Sequence, residues 1–200
     1  MNLILKKFQE WTSVEDIHSK RVSVFENVKN IPYKINPGNV VPDEGMVRVL
    51  SEKFGSCESK HFLLGYMYEK MNLKVKYCTY KFLWKDLNCV FPDRLKVFSK
   101  DLLPEYHLAC RIKILNKWVL VDCTWDDGLE PAGFKVNRRW NGLEDTVLAV
   151  SPMDEVIHKN IVDQNLFVRE KRKNYTLQDN KAFFKFIKEF NDWLKEVRVG

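Results

Sequence analysis

The spacing of apolar residues changes along the chain. Up to about residue 71 they recur every three or four positions, from about 73 to 124 every second position, and towards the C-terminus every three or four again. These regimes predict helices, then strands, then a final helix. Residues 1–30 read as helical. Ser13 and Asp16 have the spacing of a capping box, and Ile17, Val22, Phe25 and Val28 give a loose apolar face. Ile31-Pro32-Tyr33-Lys34-Ile35 alternates as a short strand, which Pro32 confines to an edge or to the start of pairing. Asn36-Pro37-Gly38-Asn39 is turn chemistry. Pro42 and Asp43 open a helix to about Phe54, with Met46, Val47 and Leu50 inward. Another helix runs from Cys57 to about Met71, and Phe62, Leu63, Tyr66, Met67 and Met71 form its apolar stripe.

The period then becomes two. Leu73, Val75, Tyr77 and Thr79 alternate with Lys74, Lys76, Cys78 and Tyr80, as in a strand with one polar side. Residues 85–104, with Pro92 and Pro104, read as irregular. Tyr106 to Ile114 and Trp118 to Thr124 read as two strands joined by a hairpin connection at Leu115-Asn116-Lys117. Residues 125–146 read as a long ordered loop, and Thr146 to Val150 as one more strand. Thr176 and Asp179 form a capping box that opens a helix to about Val197, with Phe183, Phe184, Ile187, Phe190, Trp193 and Leu194 on its buried face. Helices first, strands next and a helix last predict an α+β fold with an antiparallel sheet.

Composition narrows the class. Two hundred residues suit one domain spanning 1–200. The formal charge of +6 is modest, and the densest basic run, Arg169 to Lys173, reads as a solvated loop or helix end. No nucleic-acid partner is expected, because a footprint needs a broad basic face. Leu3 to Leu5 is too short for the apolar region of a signal peptide, and no run approaches the roughly 20 apolar residues of a membrane span. Five cysteines, an odd number without a dense framework, read as free thiols of a reducing compartment, here the cytoplasm.

The candidate chemistry starts at Gly55-Ser56-Cys57-Glu58-Ser59-Lys60-His61. Ser56 is a good N-cap, and Gly55 suits the reversal ending the preceding helix. Cys57 then falls in the first turn of a buried helix, where the dipole favours the reactive thiolate form of a cysteine. His107 opens one strand of the hairpin, and Asp122 lies in the other between Val121 and Cys123. An aspartate in such an apolar run needs a partner. His107 and Asp122 have an odd separation, which places them on one face of a hairpin with an even loop. A turn centred between Ile114 and Leu115 makes them directly opposite; one centred between Leu115 and Asn116 makes them diagonal neighbours; one at Asn116-Lys117 separates them further, so that a bulge is needed. Arg111, on the same face, is the alternative partner for Asp122. A cysteine at a helix start, a histidine on a strand and an aspartate on the next are the parts of a Cys-His-Asp triad.

With these residues in order, the chain resembles the transglutaminase-like superfamily of papain-like cysteine enzymes over about residues 22–125. The resemblance rests on Ile31-Pro32-Tyr33, Gly55-Ser56-Cys57 with Lys60 and Leu63-Leu64, and Asn72 to Tyr77. It ends on His107 and on Trp118 to Thr124. It implies a nucleophile helix packed on an antiparallel sheet, with N- and C-terminal helices around that core. It implies Cys57 as nucleophile, His107 as base and later acid, and Asp122 as the orienting group. One departure is Ala109, where the family often has an aromatic two positions after its histidine. The Cys57 backbone N–H is the natural first oxyanion donor; no side chain suggests itself for the second. Residues 126–200 lie outside the resemblance as an extension.

The implied activity is thiol-dependent acyl transfer, most simply hydrolysis of an amide or peptide bond through an acyl-enzyme, with transamidation from the same intermediate. The substrate would be a peptide, a protein or a small amide, and no cofactor or membrane partner is expected. The alternative is a catalytically inert module of the same fold that binds a partner. A zinc site at Cys57 and His61, four apart on one helix face, is disfavoured because Cys110 and Cys123 point away from His107 and Asp122 on their strands. Cys78, Cys89, Cys110 and Cys123 read as packing residues, His61 as an interfacial helix residue, and His18 and His158 as surface or satisfied polar groups. Trp125 and Trp140 suit either a substrate cleft or packing under a loop.

Overall fold

The computed structural model describes residues 3–36 and 41–200. Apart from Asn36, the turn expected at 36–39 lies outside them. The helical first stretch is broken into α1, Leu3–Trp11, and α2, Ile17–Lys29. The cap of α2 is Asp16, whose carboxylate accepts the Ser19 N–H at 2.9 Å. Ser13 plays no part in it: its hydroxyl donates to the Glu10 carbonyl instead. Val24, Phe25 and Val28 face the core, while Ile17, in the first turn, is exposed.

Helix α3, Pro42–Glu52, starts on its proline, as residues without a required N–H do. Its buried face is Gly45, Met46 and Val49 rather than Met46, Val47 and Leu50; Val47 is exposed. The reversal after it is made by Lys53, with φ 57°, not by Gly55. Tyr33 and Gly55 form a single parallel bridge, so the strand expected at 31–35 reduces to one pairing. Gly55 is needed for closeness: a Cβ there would sit 2.5 Å from Ser59 Oγ and from Val49 Cγ2.

Helix α4, Cys57–Lys70, is buried almost all round, including Phe62, Leu63, Leu64, Met67 and Tyr68. A helix that is apolar on most sides belongs inside the protein. It packs against α2, α3 and the sheet.

The sheet holds β1, Val75–Phe82; β2, Glu105–Ile114; β3, Lys117–Val121; and β4, Asp154–His158, in the order β3-β2-β1-β4 with every pair antiparallel. Both faces are covered. Tyr77, Leu108, Cys110, Ile112, Val119 and Val121 join the core under α1 to α4. Cys78, Tyr80, Phe82, Ala109 and Leu120 join a second core under α7. The polar side expected for β1 is therefore buried at Cys78 and Tyr80.

Further elements differ from the sequence reading. Residues 85–104 contain α5, Asp93–Ser99. Thr146 to Val150 is not a strand; the fourth strand is β4, an edge strand on β1. Helix α6, Ile161–Arg172, follows it, capped by the Asn160 side chain accepting from Asp163 N–H at 2.9 Å. The last helix, α7, spans Leu177–Val199 and carries the full Thr176–Asp179 capping box. Phe186, Ile187, Phe190, Trp193 and Leu194 are its buried face, and Phe184 is half exposed. Among the described residues no helix is long and apolar enough to cross a membrane.

Candidate active site

Cys57 is the first residue of α4 and is half-buried. Ser56 has the extended backbone of a cap, with ψ 173°, but its side chain makes no capping bond. Its Oγ is buried without a partner, beside the cavity described below. The expected hydroxyl cap is thus absent, and the end of α4 leans on its backbone: the Ser56 carbonyl accepts from Lys60 N–H at 3.1 Å and from the Ser59 hydroxyl at 3.2 Å.

His107 reaches this point from the first part of β2, where it pairs across the ladder with Tyr80. The β2–β3 turn is Leu115-Asn116, with φ of 45° and 69°, the two positive values of a type I′ hairpin. Ile114 pairs with Lys117 and Cys110 with Val121, so Asp122 is a diagonal neighbour of His107 just past the end of the ladder. Their separation is bridged: His107 Nε2 lies 2.8 Å from Asp122 Oδ2. Both side chains are buried.

The rest of the Asp122 carboxylate is also occupied. Oδ2 accepts from the Ala149 N–H at 2.8 Å and Oδ1 from the Thr124 N–H at 3.0 Å. The apolar stretch 146–150 is thereby explained as support for Asp122: Thr146 Oγ1 accepts from the Asp122 N–H at 2.8 Å. Asn137 fastens this loop by donating to the carbonyls of Asp122 and Val147 at 3.0 and 2.8 Å. Arg111 pairs with Glu155 at 3.0 Å, not with Asp122.

The electrostatics follow from these contacts. Burial pushes the His107 imidazolium down, but the Asp122 carboxylate and a hydrogen bond with Cys57 outweigh it and hold its pKa up at about 10. Burial pushes Asp122 up, and the facing imidazolium outweighs that, so it lies below the usual carboxylate range. With Nε2 on Asp122, Nδ1 is the ring nitrogen left for the thiol. Burial raises the other thiols, Cys78 to about 11 and Cys89 to about 12, with Cys110 and Cys123 also high.

His61 and Lys60 are working parts that the sequence reading left as background. His61 Nδ1 lies 2.8 Å from the Cys57 carbonyl, and Nε2 accepts the Cys123 N–H at 3.1 Å. Only the neutral Nδ1–H tautomer satisfies both, and burial accordingly holds its pKa down at about 4. Lys60, fully buried, donates to the carbonyls of Lys29, Ile31 and Thr124 at 2.9, 2.8 and 2.7 Å. Both ring nitrogens of His61 are thus taken, and no group of three or more His, Cys, Asp or Glu able to hold a metal occurs among the described residues.

A pH prediction follows. His61 takes up its proton near 6.5 when unfolded and only near 4 when folded, so its contribution to stability is lost as pH falls from 6.5 to 4. His107 behaves oppositely: its folded pKa is raised, so its contribution is full below 6.5 and is lost as pH rises towards 10. Denaturant midpoints measured from pH 4 to 8 should therefore peak near 6.5. His61→Gln should flatten the acid side and leave the alkaline side in place; an unchanged acid side would contradict this assignment.

Cys57 and His107 open onto a cavity of about 260 Å³. Trp125 lines it and also packs edge-on against Tyr33, whereas Trp140 packs on Phe25 in the other core. The far wall is Arg172, Tyr175, Asn180, Phe183 and Phe184, from the end of α6 and the start of α7. Arg172 belongs to the basic run and ends α6, but it turns inward. It ion-pairs with Glu105 at 2.8 Å and with Glu58 at 3.6 Å. Burial raises the Glu105 pKa against the pull of that guanidinium. Arg172 was missed because α6 was missed. The signal was present: Asn160 before Asp163 as a cap, with Ile161, Gln164 and Val168 at helical spacing.

No family model matches the chain, and no curated protein matches it. Among solved structures, one from Cytophaga hutchinsonii described as a "Putative Cysteine Protease" is similar, with a TM-score of 0.43 and 16% identity. The similarity covers 78% of this chain and 46% of that one, so the chain spans about half the length of the structure it matches.

Proposed function

We propose that the protein is a thiol-dependent acyl-transfer enzyme that hydrolyses an amide or peptide bond through an acyl-enzyme on Cys57, with His107 as base and acid and Asp122 as the orienting carboxylate. The observation that carries this reading is the 2.8 Å bond between His107 Nε2 and the buried, otherwise saturated Asp122 carboxylate. It fixes the imidazole with Nδ1 free for a thiol at the mouth of a cavity.

In this reading His107 Nδ1 already holds the proton taken from the Cys57 thiol, as its raised pKa favours, and the sulfur attacks the substrate carbonyl carbon. The Cys57 N–H is a first-turn donor with no acceptor within its helix, and it faces the developing oxyanion. As the tetrahedral centre collapses, the C–N bond breaks and His107 delivers its proton to the leaving nitrogen. Water, deprotonated by His107, then attacks the thioester; the C–S bond breaks, the carboxylic acid leaves and the thiol is restored. An amine in place of that water gives transamidation. Asp122 stays ionised throughout and stabilises the imidazolium.

The test is site-resolved alkylation. Near neutral pH, iodoacetamide should modify Cys57 at least tenfold faster than Cys78, Cys89, Cys110 or Cys123, which burial keeps protonated. Peptide mapping by mass spectrometry reads all five rates. Equal rates would remove the nucleophile assignment, and a Cys57→Ser protein with full biological activity would favour the binding module.

A further inference from the structure

The three residues of the proposed triad come from three elements, and two of them lie where the regular hydrogen bonds of those elements stop. Cys57 is the first residue of α4, and the side chain of its N-cap, Ser56, makes no capping bond. Asp122 comes just after the last pair of the β2–β3 ladder, Cys110 with Val121. Backbone beyond the end of a regular element must find its partners elsewhere, and helix ends fray.

His61 supplies such partners and touches all three elements. Its Nδ1–H donates to the Cys57 carbonyl at 2.8 Å, and its Nε2 accepts the N–H of Cys123, the residue after Asp122, at 3.1 Å. Its own carbonyl accepts from the thiol of Cys110 at 3.6 Å, on β2 and three residues past His107. The ring is fully buried, stands edge-on to that of His107 with 5.9 Å between centroids, and has Asp122 Oδ1 3.6 Å from Nε2. Burial holds its pKa down at about 4, although that carboxylate pulls the other way, so the ring is uncharged at neutral pH. A buried imidazole is costly unless its nitrogens are bonded. What His61 adds over the apolar residue that suits such a buried helix position is therefore its two bonds, and both end on backbone at or beside a triad residue.

We infer that His61 is a positioning residue, whose uncharged ring spans from the carbonyl of the nucleophile to the backbone beside Asp122 and so sets the approach of the Cys57 sulfur to the His107 ring. This rests on the reading of Cys57 as the nucleophile. His61 itself touches no substrate and moves no proton; it acts through the residues that do.

The experiment compares the full chain with its His61→Gln, His61→Asn and His61→Leu variants. Gln keeps a donor and an acceptor; Asn can donate to the Cys57 carbonyl but lacks the reach to Cys123; Leu does neither. Circular dichroism follows the fold, and peptide mapping reads the iodoacetamide rates of all five cysteines across pH. In the Leu and Asn variants Cys57 should react at least about tenfold more slowly near neutral pH, with the midpoint of its pH curve about one unit higher. The Gln variant should stay within about threefold of the parent. Cys78, Cys110 and Cys123, buried in the parent, should remain slow throughout. Cys57 reacting at the parental rate in a folded Leu or Asn variant overturns the inference, as does a Gln variant as slow as Leu. Buried thiols that speed up as Cys57 slows, or Leu and Asn variants that both fail to fold, make His61 a structural residue and overturn it too. If iodoacetamide does not favour Cys57 in the parent, the nucleophile reading fails and this inference falls with it; a fast Cys57 indifferent to residue 61 removes the inference alone.

Discussion

Asp122→Asn should leave the fold intact and slow acylation of Cys57 by about 10³- to 10⁴-fold, the scale of losing a triad orienter. The amide can turn its NH₂ towards His107 Nε2. That nitrogen then accepts, the ring proton moves to Nδ1, and the base presents a hydrogen to a thiol that must give one up. The loss of charge also removes what holds the imidazolium at a pKa of about 10. The signature is therefore double: slow chloromethyl ketone labelling of Cys57, and a His107 ring that titrates lower by NMR. Asp122→Ala should in addition lose about 3–5 kcal/mol, because the His107 ring and the Ala149 and Thr124 N–H groups lose a buried partner together. Labelling at the parental rate by a folded Asn variant would end the triad assignment.

The second large effect is expected at Lys60. Replacement by Met keeps the length and leaves three buried carbonyls bare, those of Lys29, Ile31 and Thr124. Each bare acceptor costs about 1–3 kcal/mol. Against this, Met relieves the burial of an ammonium whose pKa is pushed down to about 8, a relief of about 3 kcal/mol. The carbonyls should win, with a net loss of about 3 kcal/mol and a Tm roughly 6–12 °C lower. Thermal unfolding of Lys60→Met decides between the two terms. A variant as stable as the parent would mean that the ammonium's desolvation equals the worth of its three bonds.

The site was more legible in the sequence than the frame around it. Hairpin parity put His107 and Asp122 on one face, because a side-chain period of two constrains register, but it left the turn position and Arg111 as an alternative partner open; the Leu115-Asn116 turn makes the two diagonal neighbours. The Thr176–Asp179 capping box and the face from Ile187 to Leu194 were equally readable. Elements that meet the core on one narrow side escaped. Only His158 of β4 is buried, so Asp154 to His158 shows no alternation of apolar residues. Helix α6 buries just Gln164 and Val168 among charged neighbours, and α5 is short, with Val97 exposed. Thr146 to Val150 misled for the opposite reason. It is apolar because Ala149 and Val150 join the core under α7 with Leu148 packed on it, and its backbone N–H groups serve the Asp122 carboxylate and the Leu120 carbonyl rather than a ladder.

Arg198, in the last turn of α7, clasps two distant segments of the chain. Its guanidinium reaches both oxygens of Asp126, at 2.7 and 3.0 Å, and the Tyr33 carbonyl at 2.9 Å. Asp126 in turn receives the Tyr33 N–H at 2.7 Å, and Tyr33 lines the cavity beside Cys57. Ribosomes build a chain from its N-terminus at about 5–20 residues per second. The 50 residues from Cys57 to His107 therefore take about 2.5–10 s, so the proposed nucleophile is made before its proposed base, and earlier still than Arg172 and Arg198, which complete and fasten the walls around it. While it is being translated the protein carries this thiol without the imidazole proposed to activate it, and the last turn of α7 is also the latch on a wall of the cavity.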